Sequence, residues 1–241
     1  MTHARALIAE AIGTFALCFV GLLAISSQAL VGSSEPTPLV GVALAHGLTI
    51  LVMVAALAHH SGAHFNPAVT FGFLVTRRMA PLTGGLYMAA QVAGATLASL
   101  LVAALYGVEP VIAGTPAPAS MITAGGVIVC EAVATFFLVL VIFGTAVDER
   151  APRSVFPFAI GLVIAADILA IGPLTGAAMN PARVLGPALV GLAWDGHLLY
   201  WAGPLLGGAL AALLQHHVLL VRAPDAATAE HGGTTPSEQR G

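Results

Sequence analysis

Ser61-Gly62-Ala63-His64-Phe65-Asn66-Pro67-Ala68 and Gly176-Ala177-Ala178-Met179-Asn180-Pro181-Ala182 decide how this chain folds. Each follows an apolar run, ends in Asn-Pro-Ala and opens a second short apolar stretch, Asn66 to Thr76 and Asn180 to Val190. Asn followed by Pro is a helix start. The Asn side chain caps orphan backbone N–H groups, and Pro at the first helical position gives up an N–H that had no partner. A stretch of about eleven residues at ~1.5 Å rise makes a helix of roughly 16 Å, half of a ~30 Å hydrocarbon core. Two half-spanning helices are expected.

Composition identifies the solvent as a bilayer. The chain is 58% hydrophobic and 8% charged, with mean hydropathy +0.95, against roughly 25% charged residues in soluble domains. Apolar spans run from Ala6 to Val31, Leu39 to His59, Gly84 to Tyr106, Thr123 to Val147, Val155 to Ile171 and His197 to Val221. With short loops they use nearly all of the 241 residues, so a single transmembrane domain over 1–222 is expected. Residues 223–241, rich in Ala, Gly, Thr and acids, read as a disordered cytoplasmic tail.

A net charge of −3 implies nothing about nucleic acid and no basic run suggests it, so no nucleic-acid partner is expected. Cys18 and Cys130 fall inside apolar spans and read as small core residues. No Ser/His/Asp set and no His/Cys cluster at ligand spacing is present on the spans. The sequence therefore predicts no enzyme, no metal and no cofactor.

There is no Lys. Six spans place Arg5, Arg77, Arg78, Arg150, Arg153, Arg222 and Arg240 on one side, and leave Arg183 apart. The positive-inside rule makes that side cytoplasmic. The expectation is a multi-pass protein of the cytoplasmic (inner or plasma) membrane with both termini cytoplasmic. The first half-helix then enters from the cytoplasm and the second from outside.

Glu10-Ala11-Ile12-Gly13-Thr14-Phe15 is echoed by Glu131-Ala132-Val133-Ala134-Thr135-Phe136. The Glu pair is offset by 131 − 10 = 121 residues and the Asn pair by 180 − 66 = 114, so repeats of about 5–107 and 123–221 differ by a short indel. An odd number of spans per repeat inverts the second, an arrangement found where a solute path crosses the midplane. Irregular backbone at membrane depth survives only when buried in protein or lining a wet cavity. The runs Ser61 to Phe65 and Leu174 to Met179 are thus expected to turn carbonyls toward a pore. Two helix N-termini, each worth about +0.5 charge, meet at its centre and repel cations. There the amides of Asn66 and Asn180 donate to a passing water and interrupt a proton wire, so the cargo is small and neutral. A secondary transporter shares inverted repeats and broken helices and is the alternative, although paired Asn donors suit coupling ions poorly.

The doubled Asn-Pro-Ala, with Glu-x-x-x-Thr-Phe in each half, resembles the aquaporin or major intrinsic protein family over about residues 5 to 221. The resemblance implies an all-α membrane protein of six transmembrane helices plus two re-entrant half-helices in an inverted repeat, a right-handed bundle. It also implies a pore in each subunit, a homotetramer in the lipid bilayer, and pore motifs Asn66, Pro67, Ala68 and Asn180, Pro181, Ala182. Glu10 and Glu131 would accept hydrogen bonds from the loops that carry the half-helices, and His64 would face the cytoplasmic half of the pore.

Arg183 would be the positive member of an outer constriction, where guanidinium donors replace water's hydrogen bonds and the charge excludes protons and cations. His46 lies twenty residues before Asn66, Ile168 twelve before Asn180 and Ala177 three before it, which carries the selectivity filter onto His46, Ile168, Ala177 and Arg183. Strict water channels would place an aromatic at the His46 position and a His at that of Ile168. Glycerol channels would place large aromatics at the positions of His46 and Ala177. The set found here is similar to that of the tonoplast intrinsic protein and aquaporin-8-like branch, as are the runs Ala166 to Pro173 and Tyr200 to Leu205. The resemblance implies a passive channel for water and small neutral solutes such as ammonia, hydrogen peroxide, glycerol and urea. Asp167, an acid in a span, is expected to be a hydrogen-bonded neighbour of the filter.

Overall fold

The computed structural model describes residues 2–220; the expected tail, 223–241, lies outside them. The first repeat holds α1 (Thr2–Leu30), α2 (Leu39–Ser61), the half-helix α3 (Pro67–Val75) and α4 (Pro81–Tyr106). A short α5 (Glu109–Gly114) follows, where the sequence suggested only a loop. The second repeat holds α6 (Ala124–Ile142), α7 (Phe156–Thr175), the half-helix α8 (Pro181–Gly191) and α9 (Leu199–Leu214). Among the described residues five helices are long and apolar enough to cross a membrane on their own. The sixth crossing is α9, 16 residues, lengthened by a π turn over Gln215–Leu219. The fold is the expected six spanning helices with two half-helices.

Local chemistry places the breaks. α2 and α7 end at Gly62 (φ 86°) and Gly176 (φ 81°), glycines in the left-handed region that caps helices. The half-helices start at Asn66 and Asn180 with Pro at the first helical position. Asn66 Oδ1 accepts from Ala68 N at 2.8 Å, and Asn180 Oδ1 from Ala182 N at 3.1 Å and Arg183 N at 3.3 Å.

The repeats interlock through glycines. Where lipid supplies no hydrophobic drive between helices, close van der Waals packing of small residues holds them. A Cβ on Gly47 would lie 2.6 Å from the Gly161 carbonyl oxygen, and one on Gly161 would lie 2.5 Å from that of Gly47. That reciprocal contact puts the crossing of α2 and α7 on the axis relating the halves. Gly94 sits on the Ala11 carbonyl between α4 and α1, and Gly207 on the Ala132 carbonyl between α9 and α6. Each half-helix packs against the last span of the opposite repeat, α3 on α9 and α8 on α4.

Candidate functional site

The loop before each half-helix is a strained ribbon tied to one buried carboxyl group. Ala63 (φ 52°) and Phe65 (φ 50°) are left-handed in the first loop, as are Ala177 (φ 46°) and Met179 (φ 51°) in the second. Each such non-glycine residue costs roughly 1–2 kcal/mol. Alternation of the two backbone senses turns successive N–H groups one way and carbonyls the other. Glu10 receives the first set: Oε1 accepts from His64 N at 2.9 Å and Ser61 Oγ at 2.6 Å, and Oε2 from Phe65 N at 2.7 Å and Gln91 Nε2 at 2.7 Å. Glu131 receives the second: Oε1 accepts from Thr175 Oγ1 at 2.7 Å and Ala178 N at 3.0 Å, and Oε2 from Met179 N at 2.7 Å. Both glutamates are fully buried. At about 1.5–3 kcal/mol for each bond to a carboxylate, the ties outweigh the strain. Tyr87 Oη donates to Ser61 O and Tyr200 Oη to Thr175 O, closing each ribbon from behind.

At the centre the two halves hold each other. Asn66 Nδ2 donates to Met179 O at 2.8 Å, and Asn180 Nδ2 to Phe65 O at 2.9 Å. An amide nitrogen carries two hydrogens, so each Asn keeps one for a solute. The Phe65 ring packs into the notch left by Gly13 on α1.

A cavity of about 40 Å³ follows the ribbons and is lined by His46, His64, Asn66, Ile168, Ala177, Asn180 and Arg183. A water needs roughly 10–15 Å³ of such space, which gives room for a file of on the order of three. The opposite wall is aliphatic, built from residues such as Ile50, Leu138, Ile142 and Ile164. His46, Ile168, Ala177 and Arg183 are each 5% exposed or less. Arg183 Nη1 donates to Gly114 O, the last residue of α5, at 2.8 Å. His46 Nδ1 lies 2.8 Å from Val42 O, and a carbonyl only accepts, so that nitrogen carries the proton. His64 lines both this cavity and a vestibule beside Arg153.

Gln91, Thr70 and Gly114 are partners that sequence reasoning missed. Gln91 Nε2 also donates to Thr70 Oγ1 at 3.0 Å, and Thr70 Oγ1 lies 3.1 Å from His64 Nδ1. The available signal was an amide in the middle of the apolar run of α4. Asp167 differs from expectation: it does not line the cavity, and among the described residues its buried Oδ2 has no hydrogen-bond partner. Its place on α7, one residue from Ile168, turns it away from the wet wall. Among the described residues no group of three His, Cys, Asp or Glu is placed to hold a metal ion.

A water-wide passage between two head-to-head half-helices makes this molecule a membrane pore. A family model described as Major intrinsic protein matches residues 1–215, and the chain belongs to that family. It is 45% identical over 216 residues to "Aquaporin TIP4-4" of Zea mays, covering 87% of this chain and 84% of that protein. It is 41% identical over 227 residues to "Probable aquaporin TIP3-2" of Arabidopsis thaliana, covering 90% and 84%. The X-ray structure of the aquaglyceroporin from Plasmodium falciparum superposes with TM-score 0.79 at 26% identity, covering 90% of this chain and 97% of that one. The chain is accordingly a passive channel for water and small solutes, working in a lipid bilayer, and not an enzyme. Nothing in these relatives supports a secondary transporter.

One expectation is overturned. The relatives are tonoplast intrinsic proteins, which point to a vacuolar membrane and not to the cytoplasmic (inner or plasma) membrane. The arginine bias tells one face of a bilayer from the other. It carries no information about which bilayer.

Proposed function

We propose that residues 1–222 form one channel domain that assembles as a homotetramer with a pore in each subunit. Each pore passes water and the small neutral solutes ammonia, hydrogen peroxide, glycerol and urea, and excludes protons and ions. His46, Ile168, Ala177 and Arg183 form the constriction. The Asn66-Pro67-Ala68 and Asn180-Pro181-Ala182 motifs set the central proton barrier, and Glu10, Glu131 and His64 support the pore loops. One observation carries the reading: all four filter side chains and both Asn amides line the same narrow cavity. A His, an Ile and an Ala in place of bulkier rings leave one wall apolar and the passage wide, while Arg183 supplies donors and a positive charge.

Stopped-flow light scattering on reconstituted proteoliposomes tests this. Water flux with a low activation energy and ammonia flux above that of empty vesicles are expected. Arg183→Val should raise the leak of urea, glycerol and protons relative to water. An unchanged solute profile in that variant would remove Arg183 from the constriction. Chemical cross-linking in the bilayer should trap species up to four subunits.

A further inference from the structure

We propose that Gly21, on α1, is a specificity-determining residue of the channel: its missing side chain is the space that holds the His46 ring back from the pore. The proposal rests on the filter assignment above and deepens it. A Cβ placed on Gly21 would lie 2.5 Å from His46 Nε2, 3.1 Å from Cε1 and 3.2 Å from Cδ2. Gly32 and Gly41, in contrast, have nothing within 4 Å of such an atom. The imidazole thus lies edge-on against the α1 backbone, one nitrogen tied to Val42 O and the other against Gly21.

Two spaces flank this ring. On the α1 side, the region bounded by Cys18, Gly21, Leu22, Arg183 and Pro187 is packed tight, with no room for a water. On the other side is the pore cavity. Ordinary carbon contacts lie at about 3.5–4.0 Å, so any side chain at position 21 displaces the ring by on the order of 1 Å. With Nδ1 tethered and the α1 side full, the open direction is into the pore, toward Ile168 and Arg183. Gly is a poor helix former, so replacing it with Ala does not weaken α1 itself.

The experiment reconstitutes the full chain carrying Gly21→Ala, His46→Ala, or both, and reads water, ammonia, urea and glycerol permeabilities per inserted channel. For Gly21→Ala we expect urea and glycerol to fall about fivefold or more relative to water, because pore diameter sets that ratio. The double variant should return to the ratios of His46→Ala alone, since the ring that carries the clash is gone. Ratios that stay at the wild-type value, or all four fluxes falling by one common factor, would overturn the proposal, because a merely structural defect scales every solute alike. If Gly21→Ala fails to insert, the double variant must recover insertion, and its failure to do so overturns the proposal equally. A His46→Ala profile identical to wild type would instead remove His46 from the filter, a separate outcome read from the single variant.

Discussion

Taken 114 residues apart, the two ends of the pore can be compared side chain by side chain. His46 corresponds to Ile160, Val54 to Ile168, Ala63 to Ala177 and Val69 to Arg183, and all eight line the cavity. The inverted repeat therefore builds the same ring of four twice. At the arginine-rich face the ring is Ile160, Val54, Ala63 and Val69, wholly apolar. At the opposite face it is Ile168, Ala177 and two polar replacements, His46 and Arg183. The supports repeat more faithfully: Ser61 with Thr175, Tyr87 with Tyr200 and Glu10 with Glu131 make the same bonds. The scaffold is thus symmetric, and on the reading proposed above discrimination resides in the few positions where the symmetry fails.

Cutting either carboxyl tie should break the comparison most severely. Glu10→Ala strands the His64 and Phe65 amides, and Glu131→Ala strands those of Ala178 and Met179. Each unsatisfied buried group costs about 1–3 kcal/mol, beyond the bonds lost. Both variants should lose most folded protein, measured as monodisperse yield in detergent and water flux after reconstitution. If one were tolerated and the other not, the halves would not be equivalent supports.

Making the two rings alike has the next largest effect. His46→Ile combined with Arg183→Val gives the outer ring the polarity of the inner one while Glu131 and the Asn pair stay in place. Proton and urea leak should rise about tenfold or more, the rate equivalent of ~1.4 kcal/mol off a barrier. Water flux should change far less. A double variant that stays selective would move discrimination from the outer ring to the centre.

A third variant pair sharpens the asymmetry of the supports. Gln91 and Thr70 have Pro204 and Val184 at the corresponding places, so the side-chain relay from His64 through Thr70 and Gln91 to Glu10 has no counterpart in the second half. Gln91→Leu and Thr70→Val should each cost roughly 1–2 kcal/mol, read as a lower Tm in detergent with permeation retained. Val184→Thr should lower Tm as well, because its hydroxyl would enter the buried apolar cluster of Val127, Ala178 and Tyr200 without the His and the amide that Thr70 bonds.

The reach of the sequence follows the same division. Spans, half-helix starts and the repeat were legible, because Pro, Gly, capping Asn and apolar runs act locally. The end of α7 was placed at Ile171, yet the helix runs through Pro173 to Thr175; the mid-membrane Thr175 then reaches Glu131. α5 was missed since six residues carry no helical period. Gln91 meeting Glu10 across 81 residues, the Gly114 carbonyl meeting Arg183, and Gly21 against His46 are tertiary coincidences with no local signature.

Outside both rings, the smallest effect belongs to the loop after α6. Arg150 Nε and Nη2 donate to Asp148 Oδ1 at 2.9 Å and Oδ2 at 2.6 Å, and the Arg150 backbone N–H adds a bond to Oδ1. These bonds, with the nearby positive charge, hold the carboxyl down to about 2 from an ordinary 3.8. A depressed carboxyl stabilises the fold above its unfolded value and loses that contribution as pH falls through its folded one. The contribution is therefore complete above about pH 4 and lost between about 4 and 2. Exposed pairs are weak, so Asp148→Asn should lower Tm slightly, by the same amount at every pH from 5 to 8, with all fluxes unchanged. Arg153, three residues beyond Arg150, lines the vestibule that ends in Ala63, Val69 and Ile160. A flux in Asp148→Asn that varied with pH over that range would mean that this loop acts on the inner ring, and the apolar ring could no longer be treated as a passive counterpart of the filter.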